Sequence, residues 1–82
     1  MEKDVTQILS AATDSVDLIN GVNDGSWNVE KMEQSEINDM VQRNVDHLEI
    51  ILAYEEVVAD SSDKTSYNSA ISTGNSYISS NS

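Results

Sequence analysis

Residues 35–59 read SEINDMVQRNVDHLEIILAYEEVVA, and the spacing of their apolar side chains decides the fold class. The stretch contains neither Pro nor Gly, and Ile37, Val41, Val45, Leu48 and Leu52 recur three or four residues apart, with Met40 and Ile51 widening the stripe. That period belongs to a helix buried along one side. At 1.5 Å per residue it predicts a rod on the order of 37 Å long, the spine of a small domain. A second row, Ile50, Tyr54 and Val57, keeps the same spacing on another face, so the C-terminal half of the helix needs two covering surfaces.

Towards the N-terminus, Asp4-Val5-Thr6-Gln7 places an acceptor at an N-cap and a glutamine at N3, which starts a first helix. Val5, Ile8, Leu9, Ala12, Val16 and Ile19 form its stripe, and Asn20-Gly21 supplies residue types that end helices in a left-handed turn. Val22–Asn28 reads as a loop, with Asp24-Gly25 a tight turn inside it. Trp27 follows that turn. Packed, its ring folds back onto the helix ends it joins; exposed, it is an anchor for a partner. Residues 29–34 fit either a short helix or an early start of the central one, and Ser35 is the best N-cap nearby.

Beyond Asp60 the text changes. Serine dominates 61–82, mixed with Asn, Thr, Tyr and Ile, and taken alone the segment reads as a low-complexity tail. A seven-residue repeat, Asn68-Ser69-Ala70-Ile71 and Asn75-Ser76-Tyr77-Ile78, instead gathers Tyr67, Ala70, Ile71, Gly74, Tyr77 and Ile78 on one helical face. A helix capped at Ser62 or Asp63 accounts for that repeat, against the poor helix propensity of Ser, Thr, Asn and Gly and the strand-like alternation of Tyr67, Ser69 and Ile71. Gly74 in mid-stripe predicts a close helix–helix approach, with Ile50, Tyr54 and Val57 as its candidate partners.

These readings predict an all-α fold: helices over 4–20, 35–59 and 64–79 packed as an antiparallel three-helix bundle with Val45, Leu48 and Leu52 central. The domain spans 4–79, with frayed ends at 1–3 and 80–82. Composition sets its limits. A chain of 82 residues buries only a little over roughly 60% of its unfolded surface, and the absence of Cys removes disulfides and thiolate metal cages from the account. No apolar run approaches the roughly 20 residues that span a bilayer, and no signal-like segment opens the chain, so the expectation is a protein without a membrane partner. Fifteen acidic against four basic residues, a formal charge of −11, repel phosphate backbones and disfavour direct nucleic-acid binding.

Candidate sites are few. His47 is the single histidine, and its i−4 and i+4 neighbours are Arg43 and Ile51, so the helix supplies no second metal ligand and a surface role is expected. The 20–31 loop places Asp24 and Gly25 where a calcium loop has them, but Val22 and Lys31 stand at its third and twelfth places, where oxygen donors are required. Neither cofactor nor metal is expected, and no nucleophile–base set or phosphate loop can be placed, which argues against an enzyme. Glu55 and Glu56, with Glu49 and Asp60, make an acidic end to the central helix: a solvated face, or a surface for a basic partner. The residues expected to meet a protein partner, or a second copy in a homo-oligomer, are therefore Trp27, Ile50, Tyr54, Val57, Glu55 and Glu56.

Two helices around a Trp-containing loop are similar to the small WXG-type helical hairpins, although Trp27-Asn28-Val29 lacks their glycine and a third segment is present. Arg43-Asn44-Val45-Asp46-His47-Leu48-Glu49, with Asn68-Ser69-Ala70-Ile71, Gly74 and Tyr77-Ile78, resembles small uncharacterised proteins of tailed phages that infect marine cyanobacteria. That resemblance covers about residues 27–78. It implies a viral origin and a fold, with no site residues, and the cytoplasm of the producing cell or the virion as the setting. Two functions follow as expectations: a structural or assembly module docking through apolar helix faces, or an acidic inhibitor that imitates nucleic-acid phosphates before a DNA-binding host protein.

Overall fold

The computed structural model describes residues 5–53 and 61–82, which form three helices: α1 (Val5–Asp24), α2 (Gln34–Leu52) and α3 (Ser61–Ser80). Each helix packs against the other two, giving the small all-α bundle the apolar periods call for. Ser15 of α1 lies beside His47 of α2, and Ile19, one turn further along α1, meets Val41 and Val45 around Gly74, so α1 and α2 run in opposite directions. The start of α2 is tied to the end of α3 by Gln34 Nε2 donating to the Tyr77 hydroxyl (3.0 Å) and Asn38 Nδ2 donating to the Asn81 carbonyl (3.1 Å). The bundle is therefore up-down-up.

Its fully buried centre is Ile19, Val41, Val45 and Leu48, joined by Ala12, Val22, Ile37, Ile51, Tyr67 and Ala70. Val45 and Leu48 are central as expected, but Ile51 rather than Leu52 completes the row, and Leu52 is half-buried. From Ile37 the buried positions advance by four, four, three and three residues, which makes two heptads.

Several boundaries move. Asn20-Gly21 does not end α1, which continues one turn to Asp24 and turns at Gly25, whose φ of +85° is the left-handed conformation glycine adopts freely. Gly21 is a packing residue instead: a Cβ there would stand 3.2 Å from Trp27 Cε3 and 3.3 Å from Trp27 Cβ. Helix α2 starts at Gln34, with Glu33 rather than Ser35 as N-cap and Glu36 reaching back to accept the Glu33 N–H at 2.9 Å. Residues 29–32 form a single turn, closed by the Met32 N–H donating to the Val29 carbonyl. At its other end α2 closes at Leu52 with Ala53 as C-cap; the expected continuation to 59 lies outside the described residues.

Helix α3 begins at Ser61, so Ser62 and Asp63 are inside it rather than capping it. The low-complexity reading gives way because Tyr67, Ala70 and Gly74 are buried against the other two helices, and packing of one face outweighs weak intrinsic propensity. The close approach expected at Gly74 is present, and among the described residues its partners are Val45, Val41 and Ile19 rather than Ile50; Tyr54 and Val57 lie outside the described residues.

Candidate interaction surface

Trp27 is fastened to the end of α1. Its backbone N–H donates to the Gly21 carbonyl at 3.0 Å, and one edge of its ring lies against Gly21, where an added Cβ would require the ring to give by a few tenths of an ångström. Asp24 holds the turn from the other side by accepting the Ser26 N–H at 2.8 Å. With the backbone fixed on both sides, Trp27 still leaves 41% of its surface in solvent. The ring is thus braced on the helix end and also left open to solvent.

Ile50 is the other large exposed apolar side chain among the described residues, at 56%. Of the row expected to lie under α3, Ile50 is left uncovered, and α3 applies its apolar face to the first stripe. Tyr54, Val57, Glu55 and Glu56 lie outside the described residues. Trp27 and Ile50 do not share one surface. The Trp27 loop leads into the first turn of α2, whereas Ile50 is in its last turn, about 24 Å further along at 1.5 Å per residue.

Beside the Trp27 loop, Met32, Glu36, Asp39, Met40, Arg43 and Asn44 line an open groove of about 590 Å³. Glu36, Met40 and Asn44 form one i, i+4 row on α2 and Asp39 and Arg43 the next, while Met32 closes the groove from the loop. Met32 and Met40 are half-buried and packed against the core, and they line the groove together with the exposed charged side chains of Glu36, Asp39 and Arg43. The outward face of α3 is different in kind, a shallow depression of Thr65, Asn68, Ser69, Ser72 and Thr73, and no charged residue follows Lys64.

His47 is not the surface histidine expected. It is half-buried, and its Nδ1 stands 2.8 Å from the hydroxyl of Ser15, which is 3% exposed. Sequence reasoning missed this partner by treating serine as polar; its register was the signal, because Ser15 falls between Ala12 and Ile19 on the buried side of α1. A nucleophile must be reached by substrate, and Ser15 Oγ is closed in by packing, so the pair satisfies a buried hydroxyl and fixes α1 against α2. No buried side-chain N or O among the described residues lacks a partner. Among those residues no three His, Asp or Glu side chains are grouped to hold a metal, and no helix is long and apolar enough to cross a membrane.

Asp24 has a carboxyl held below its ordinary value of 3.8, by hydrogen bonds from the Ser26 side chain and the Ser26 backbone. That carboxylate, which the calcium-loop pattern would have offered to a cation, serves the turn that presents Trp27. Comparison of the chain with known protein families, with curated proteins and with solved structures finds no match.

Proposed function

We propose that this chain is a non-enzymatic interaction module that docks on a protein partner through the end of the bundle carrying Trp27. The observation that carries the reading is the state of Trp27, braced on Gly21 by a backbone hydrogen bond and ring packing while 41% of its surface stays open. An aromatic side chain held in place before binding loses little conformational freedom on docking, and large aromatic anchors dominate interface energies. A phage origin, which the resemblance of residues 27–78 implies, would place that docking in virion assembly or in the infected cell. A second reading, an acidic inhibitor that imitates nucleic acid, draws on the net charge of −11 and its confinement to residues before 65.

The test is affinity capture from the producing cells with the native chain, Trp27→Ala and Ile50→Glu. The expected result is a partner held by the native chain and by Ile50→Glu but lost with Trp27→Ala at unchanged helix content. Capture undiminished by Trp27→Ala would overturn the reading. Sedimentation of the same three proteins at two ionic strengths tests whether that partner is a second copy: self-association lost with Trp27→Ala and strengthened by salt, which screens like charges, assigns it so.

A further inference from the structure

Of the features outside the core, the groove beside the Trp27 loop sets two methionines among two carboxylates and one guanidinium. Met32 and Met40 come from different elements, loop and helix, and both are packed from behind by the core, which leaves their outer surfaces to the groove. Methionine is unbranched and polarizable, so a floor made of two thioethers accepts apolar side chains of varied shape. The rim carries Glu36 and Asp39 against Arg43, and Glu30 and Glu33 precede them in the same loop with Lys31. A chain of net charge −11 adds a long-range field of the same sign, which speeds the approach of cations and repels phosphate.

We infer that the Met32–Met40 groove binds a basic amphipathic segment of a partner protein, with an apolar side chain seated between the two methionines and a Lys or Arg facing Asp39 and Glu36. This rests on the reading of the Trp27 end as the docking end. An apolar segment without charge would forgo the rim, and a basic segment without an apolar face would leave the thioethers in water, so the two features together select both properties of the occupant. Asp39 is the carboxylate to test, because Glu36 also accepts the Glu33 N–H that starts α2.

The chain has three methionines, Met1, Met32 and Met40, and two of them line the groove, so its ¹³C-labelled methyl spectrum reads the groove directly. The probe is a synthetic peptide of Leu and Lys, about 18 residues long so that it can hold a helix, with leucines at i, i+3, i+4 and i+7. The Met32 and Met40 methyls should shift together and saturate. Asp39→Lys should weaken the peptide roughly tenfold, the size of a rim attraction turned into a repulsion. Two control peptides, one with Glu in place of Lys and one with the same composition but scattered leucines, should leave both methyls in place.

Equal shifts with the scattered peptide would mean general attraction to an acidic chain and overturn the inference, as would an affinity unchanged by Asp39→Lys. A shift of the same methyls with protein concentration alone would assign the groove to a second copy and overturn it too. The two proposals fail separately. Methyls unmoved by the peptide, with a partner still lost on Trp27→Ala, remove the groove and keep the module; a partner retained by Trp27→Ala removes the module whatever the peptide does.

Discussion

Replacing Gly74 by alanine sets two effects of opposite sign against each other inside one helix. In an exposed helix the change stabilises by about 1 kcal/mol, because alanine loses less backbone freedom on folding. Here the added Cβ would stand 2.5 Å from Val45 Cγ2, 3.3 Å from Val41 Cγ1 and 3.4 Å from Ile19 Cγ2. None of these is the free end of a flexible chain. Val41 and Val45 are 1% and 0% exposed and branched at Cβ, which leaves them one strongly preferred rotamer in a helix, and Ile19 is fully buried on α1.

Overpacking a core of this kind costs about 1–3 kcal/mol, and a first contact at 2.5 Å puts Gly74→Ala towards the upper end. After the propensity gain the net loss is roughly 1–2 kcal/mol, which lowers Tm by about 4–16 °C in a domain of this size. Thermal and urea melts followed by circular dichroism measure it, with the urea slope unchanged if only stability has moved. In a Val45→Ala background, where the obstructing methyl is gone, the same substitution should be neutral or stabilising; this cycle isolates the contact. A native-background Gly74→Ala protein that melts higher than the parent would refute the close approach, and with it the packing of α3 on both other helices.

Leu48→Ala, at a fully buried central position, should lose roughly 2–5 kcal/mol, read from the urea midpoint, and a loss near zero would mean that α2 turns another face to the core. Asp24 should titrate with a midpoint below 3.8 when followed by NMR at its side-chain carboxyl, and Ser26→Ala should raise that midpoint by removing the larger of the two hydrogen bonds. Because the folded value is depressed, the stability these bonds contribute is complete above the unfolded value and is lost as pH falls through the folded one. A midpoint at or above 3.8 would mean that the charge at the end of α1, unfavourable to the helix dipole, prevails over the bonds from Ser26.

Much of this molecule is determined by one-dimensional pattern. Burying one side of a helix demands apolar residues every three or four positions whatever lies opposite, so Ile37, Val41, Val45 and Leu48 announce α2, and the repeat through Tyr67, Ala70 and Gly74 announces α3 despite its serines. Glycine in mid-stripe likewise implied a close neighbour, because the absence of a side chain is useful where backbones approach. Which neighbour is a different matter. Val41, Val45 and Ile19 stand around Gly74 because of how α2 and α3 are rotated about their axes, and local spacing carries no information on rotation.

The same limit governs the interaction surface. Trp27 was singled out by its type and its turn, but that it is both braced and open depends on Gly21 lying under its ring rather than ending α1. The groove joins Met32 of the loop to Met40 of the helix, and the polar lock joins Ser15 to His47 across 32 positions of chain. Contacts of this kind are made by folding the chain back on itself. A serine on the buried side of α1 and a histidine on the flank of α2 become partners only when two helices settle at a distance and register set by the packing of all three.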